Sequence, residues 1–181
     1  AKSKDSVGIG VIMTKEELLK AIKSPEWTDI EFKQCRNGVS DDAYKTVSAF
    51  ANTSGGYLVF GVKESAGKAE RDIVGVDDVD KVQNDFLSCL RNGGKLSRVI
   101  PSDAELHEIE GKHVLVFYIP EADRKEKPIY LGKRIDQAYI RRGGGDELCT
   151  ESELRAFIRD ASDTPYDRSI EHGIDPSSFI N

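Results

Sequence analysis

Cysteine is scarce in this chain, and nothing in its placement suggests bonding. Cys35, Cys89 and Cys149 are odd in number, widely separated and free of any C-x-x-C pair. That argues against both a disulfide framework and a zinc knuckle. His107, His113 and His172 stand at ligand spacing from none of them, so buried thiols and surface imidazoles are the expectation. Apolar runs are short throughout. None approaches the length of a bilayer span, and the opening residues 1–13 lack the apolar stretch of a secretion signal. The expected setting is the cytoplasm, with no membrane partner. No internal repeat or low-complexity tract occurs. The phosphate-binding pattern G-x-x-x-x-G-K-[ST] is also missing, so ATP hydrolysis is not assigned to these residues.

What is present is enough for one domain: 181 residues with 38% hydrophobic and 32% charged content. One sizeable core is the default at this length. The net charge of −6 is unevenly spread, since residues 146–181 hold 3 Lys/Arg against 9 Asp/Glu and account for all of it. Residues 124–142 carry 7 basic and 2 acidic side chains, which offers either a local positive surface or an ordinary solvated rim.

Thr14 followed by Glu17 is a capping box before a first helix, which Pro25 stops. "TDIEFK" alternates as a half-buried strand does, with Ile30 and Phe32 on one side and Asp29, Glu31 and Lys33 on the other. Ser40 is a candidate cap for a helix over 41–51. That helix runs into "NTSGG" and out into "YLVFGV", a strand apolar on both faces and therefore expected at the centre of a sheet. "DIVGV" reads as a neighbouring strand, residues 76–94 as a glycine-closed helix, and "AELHEIEGKHVLVFYIP" as two strands joined by a tight Glu-Gly turn. "AYIRRG" gives a further strand, and Thr150 with Glu153 opens the last helix. The expected fold is α+β: a single mixed β-sheet with flanking helices over 1–160, then a connector-like tail over 161–181 leading to modules of a longer chain.

The E-F-K strand, the helix ending "AFANTSGGYLVFGV", the following "DIVGV" and the late "YIRRG" together resemble the Schlafen-type AlbA-like domain, also known as the divergent AAA or DNA-binding domain. The resemblance spans roughly 26–142. It implies a nucleic-acid-associated module, which in many bacterial relatives stands at the N-terminus of proteins assigned as transcriptional regulators. Some animal relatives cut structured RNA with three carboxylates. The matching positions here are Glu26, Glu31 and Glu64, with Glu at the third where those relatives have Asp. Their zinc ligands have no counterpart in this chain.

The residues make that chemistry intelligible. Phosphodiester cleavage needs charge neutralisation and an activated nucleophile, and carboxylates holding Mg²⁺ or Mn²⁺ supply both. Lys33 shares the strand face of Glu31 and can position a phosphate or a water. The competing reading is a surface ion pair on an edge strand, worth ~0.2–1 kcal/mol. Glycines 55 and 56 are read as serving the turn and close packing. Asn52 and Ser54 are left as either turn residues or phosphate contacts. Lys33, Arg36, Lys45, Arg141 and Arg142 are candidates to bind phosphate, and Tyr130 and Tyr139 to stack on bases, although strand aromatics usually belong to a core. Arg141 and Arg142 alternate, so only one of them can point toward a given surface.

Three functions follow in order of preference. The first is a nucleic-acid-binding module of a regulator, acting on DNA or RNA. The second is a metal-dependent endoribonuclease. The third is a scaffold that self-associates through its sheet and acidic tail.

Overall fold

The structure, a computed structural model, describes residues 12–24, 28–65, 70–92 and 94–162. Helix α1 (Lys15–Lys23) begins as its capping box requires, with the Thr14 hydroxyl accepting the Glu17 amide at 3.2 Å. Its buried residues, Leu18, Ala21 and Ile22, recur at helical spacing and form the inner stripe. Strand β1 (Ile30–Lys33) alternates buried and half-buried side chains as the pattern predicts. Helix α2 (Asp41–Asn52) and strand β2 (Gly56–Phe60) follow. Ser40 occupies the cap position of α2, but its side chain makes no capping bond there. Next come β3 (Val62–Lys63), β4 (Asp72–Ile73) and α3 (Val79–Asn92). The chain continues through β5 (Ala104–Ile109), β6 (Lys112–Ile119), β7 (Tyr139–Arg142), β8 (Gly145–Leu148) and α4 (Glu151–Ser162). The tail from 163 onward lies outside the described residues.

The main sheet has the order β1-β2-β6-β5. β1 and β2 are parallel while β6 and β5 are antiparallel to their neighbours, so the sheet is mixed and the fold α+β. Parallel neighbours need a crossover, and α2 supplies it. β2 is central, as its apolar faces require. Leu58 and Phe60 point to the α2 and α3 side, where Phe60, Phe86 and Phe117 meet with ring centroids 4.7 to 5.1 Å apart. Val59 points the other way, to a second cluster with Leu18, Phe32 and Val116 beneath α1. Each of these fully buried side chains contributes roughly 1.5–3 kcal/mol.

Two details differ from the expectation. "YLVFGV" is not one strand: it breaks at Gly61, whose φ of +100° only glycine adopts easily. The Gly61 amide turns back to donate to the Lys33 carbonyl at 2.9 Å, and β3 leaves to pair with β4 in a separate ladder. Strand β8 was not anticipated, because "GDEL" has little strand character of its own. It forms because β7 is anchored in place and offers it a partner.

Candidate nucleic-acid interface

Glu31 and Lys33 leave β1 on the α2 side of the sheet, opposite to Ile30 and Phe32. Their charges meet, with Lys33 Nζ 3.5 Å from Glu31 Oε1. Arg141, arriving from β7, dominates the spot. Its guanidinium contacts Glu31 Oε2 and Asp146 Oδ1, each at 2.8 Å, and its Nε donates to the Thr28 carbonyl at 2.8 Å. A further bond reaches the Ile30 carbonyl at 3.3 Å, and the group lies 5.0 Å from the centre of the Phe50 ring. The Thr46 hydroxyl donates to Asp146 Oδ2 at 2.6 Å. Two acids and two bases therefore balance in a contiguous cluster from Lys33 to Thr46. Burial pushes the Glu31 carboxyl above its usual range, Arg141 and Lys33 pull it down, and burial prevails. Arg141, expected at a phosphate, has a side chain only 4% exposed and is engaged inside the protein.

The end of α2 holds β7 where Arg141 can do this. Ser48 Oγ accepts the Tyr139 amide at 3.0 Å and donates to the Ile129 carbonyl at 2.7 Å. Asn52 accepts the Ile129 amide at 2.7 Å and donates to the carbonyls of Ile129 and Tyr139 at 2.8 and 2.9 Å. Thr53 Oγ1 accepts the Arg141 amide at 2.9 Å. Asn52, left open between turn and phosphate, is thus filled by buried backbone partners. Ser54 is exposed in the turn. The two glycines act as expected: Gly55 has φ +73°, a Cβ there would meet the Ile119 carbonyl oxygen at 2.8 Å, and one on Gly56 would meet the Phe50 ring at 2.6 Å.

Glu64 is placed elsewhere. Its Oε1 meets Arg71 Nε at 2.8 Å, and Arg71 lies 4.3 Å from the centre of the Phe32 ring, on the α1 side. The same guanidinium donates to the Ser24 carbonyl at 2.5 Å and more distantly to those of Ala21 and Ile22, closing the carboxyl end of α1. Glu31 and Glu64 therefore face opposite sides of the sheet, each paired with its own arginine. Glu26 lies outside the described residues. Among the described residues no group of three His, Cys, Asp or Glu side chains is arranged to hold a metal ion, so the two carboxylates that can be placed do not fit a shared Mg²⁺ or Mn²⁺.

The remaining cations are more open. Arg36, its side chain 58% exposed, pairs with Asp77 at 3.0 Å, and Lys45 pairs with Asp42 at 3.2 Å. Arg142, 66% exposed, is 3.8 Å from Glu147 and 3.9 Å from Glu153, too far for strong pairing. Lys33 and Arg36 line one hollow of about 500 Å³, together with Cys35 and Ser40 at the start of α2. The basic stretch 124–142 is less open than its composition suggests: besides Arg141, Lys127 is tied to Glu121 at 3.0 Å and Arg134 to Asp136 at 2.6 Å. Tyr139 is buried, and Tyr130 is partly so. Sequence reasoning did not single out Arg71, Thr46, Asp146 or Ser48. Only Ser48 had a signal, being a polar residue four before Asn52 on an otherwise apolar helix face.

A mixed sheet with helices on both faces and one edge closed by an arginine-bearing hairpin defines a small α+β domain. Residues 26–150 match the Schlafen, AlbA_2 domain, and the chain belongs to that family. The N-terminal domain of a RecG-related protein of Nitrosomonas europaea, whose name relates it to an ATP-dependent DNA helicase, is 33% identical. It superposes with a TM-score of 0.55, covering 74% of this chain and 90% of that domain. A Corynebacterium diphtheriae protein is 21% identical at a TM-score of 0.47, over 83% of this chain and 25% of that one. An uncharacterised ATP-binding protein of Ureaplasma parvum is 43% identical over 70 residues, 37% of this chain and 19% of that protein. The chain thus spans a small part of its curated relative. No helix among the described residues is long and apolar enough to cross a membrane.

Proposed function

We propose that the chain is a nucleic-acid-binding module that grips the phosphate backbone through Lys33 and Arg36, with Lys45 and Arg142 as flanking contacts. The observation that carries this reading is the hollow shared by Lys33 and Arg36 at the amino end of α2. Backbone amides and the helix dipole favour an anion there, and the Ser40 side chain does not cap the helix. Asp41 and Asp42 in the first turn are offset by Lys95 at 3.5 Å and Lys45 at 3.2 Å. Family membership and the helicase-related name of a 33% identical domain support it as well. In this reading the module serves DNA or RNA within a longer cytoplasmic protein, of which a transcriptional regulator is one form. Arg141 supports the surface from within and touches no phosphate. The test is binding of labelled DNA and RNA duplexes and hairpins. Binding at low salt that falls steeply as salt rises is expected, and no binding at low salt overturns the reading.

Metal-dependent cleavage of structured RNA by Glu26, Glu31 and Glu64 is the second reading, favoured by the Lys33 ammonium beside Glu31. It requires Glu31 and Glu64, held on opposite sides of the sheet, to leave Arg141 and Arg71 and converge on one ion. Incubating tRNA or rRNA with Mn²⁺ or Mg²⁺ tests it, because equal cleavage by the Glu31→Ala variant assigns the activity to a contaminant.

A further inference from the structure

We infer that strand β5 is a docking edge for a second copy of this chain, which adds its own β5 antiparallel across a twofold axis at Leu106. The two edges of the main sheet are β1 and β5. Arg141 bonds to carbonyls at and just before β1, whereas among the described residues no strand or side chain closes the outer side of β5. An open edge is a template for another strand.

The hairpin decides which backbone groups are on offer. Glu110 and Gly111 turn with φ of +53° and +74°, and Ile109 is the Cα partner of Lys112. A two-residue turn of this kind makes the flanking pair a hydrogen-bonded one, and bonding then alternates along the ladder. Ile109, His107 and Glu105 therefore spend their amides and carbonyls on β6. Ala104, Leu106 and Glu108 present theirs outward.

Only registers that set outward groups against outward groups can bond. With Leu106 on the axis, Leu106 faces its own copy, Ala104 faces Glu108 of the second copy, and about six backbone hydrogen bonds form. The non-bonded positions then place Glu105 opposite His107 of the second copy, twice. A shift by two residues in one direction sets Glu105 against Glu105, and in the other His107 against His107. A carboxylate facing an imidazole, rather than each facing its own kind, thus favours the first of these registers. Leu106, unusually open for a large apolar strand residue at 54%, gains an apolar partner on the α3 side. Within one chain Glu105 Oε2 already lies 3.4 Å from His107 Nε2, and Glu105 Oε1 accepts the Met13 amide at 3.3 Å, so the carboxylate and the imidazole are held near the axis. The contact is short, at the small end of specific interfaces, below about 1,200 Å², and self-association is correspondingly weak.

Sedimentation velocity on the full chain across micromolar to millimolar concentration tests this. The expected result is a reversible monomer–dimer equilibrium. His107→Glu, which sets carboxylate against carboxylate, weakens it about tenfold. The double swap Glu105→His/His107→Glu restores it. Under mild oxidation Leu106→Cys yields a disulfide-linked dimer, since paired residues lie about 5.5 Å apart. Val99→Cys, at a residue 60% exposed and outside the strand, does not. A monomer at every concentration with no crosslink through Leu106→Cys overturns the inference, as does a His107→Glu dimer as tight as the wild type.

Discussion

Two glutamates, Glu31 on β1 and Glu64 just after β3, are each held by an arginine, and the two pairs differ in what surrounds them. Glu31 and Arg141 have side chains 18% and 4% exposed, and Arg141 binds a second acid and two carbonyls besides. Glu64 is 53% exposed, and Arg71 spends Nη1 on the end of α1. The same ion pair therefore does different work. In the first the charges are desolvated and mutually dependent, so the pair fixes the β7–β8 hairpin to β1. In the second the carboxylate is close to solvent, and the arginine serves the helix more than the acid. Function that needs an exposed cation must lie outside both pairs, which leaves Arg36 and Arg142, with Lys33 at the margin of the first pair, 3.5 Å from Glu31 and open to the hollow it shares with Arg36.

Removing one partner of the buried pair separates the two most strongly. Arg141→Ala leaves Glu31 and Asp146 without a counter-charge and costs about 3–5 kcal/mol in urea unfolding. Asn52→Ala comes next: it leaves backbone groups of Ile129 and Tyr139 unpaired in the core and costs ~2–3 kcal/mol by the same measurement. Arg71→Ala loses the helix-end bonds and the Phe32 contact, for about 1 kcal/mol. The smallest effect is a change of slope with pH. Burial raises the Glu31 pKa above 4.5 in the folded protein. The folded state then binds more protons than the unfolded one just above that pH, so Glu31 contributes stability at low pH that is lost as pH rises through its folded value. Glu31→Gln removes that decline. Glu105 shifts in the same direction, so the wild type and the variant are compared over one pH series to isolate Glu31.

Much of the fold was legible because local signals agreed with one another. Thr14 caps its helix, Thr150 and Glu153 close a reciprocal capping box, β2 is central, and the Glu-Gly hairpin turns where its dihedrals demand. Gly61 went unread because glycine within an apolar run looks like strand until the Lys33 carbonyl, distant in sequence, is seen to claim its amide. β8 depends on β7, a tertiary cause that no local pattern carries. At the site, the alternation of Glu31 with Lys33 was readable, whereas their capture by Arg141 was not. A strand arginine looks the same on paper whether it faces solvent or crosses a sheet edge, and its partner Asp146 sits in a segment that seemed only acidic. Arg71 was hidden for a similar reason, since the helix end it closes lies far back in the chain.

The most direct test of the central claim is the salt dependence of binding to a labelled nucleic-acid hairpin, compared between the wild type and Lys33→Gln/Arg36→Gln. If these two cations hold phosphate, the double variant keeps its fold, binds more weakly, and the slope of log affinity against log salt falls by about 1–2. Identical affinity and slope in the two proteins would contradict the account.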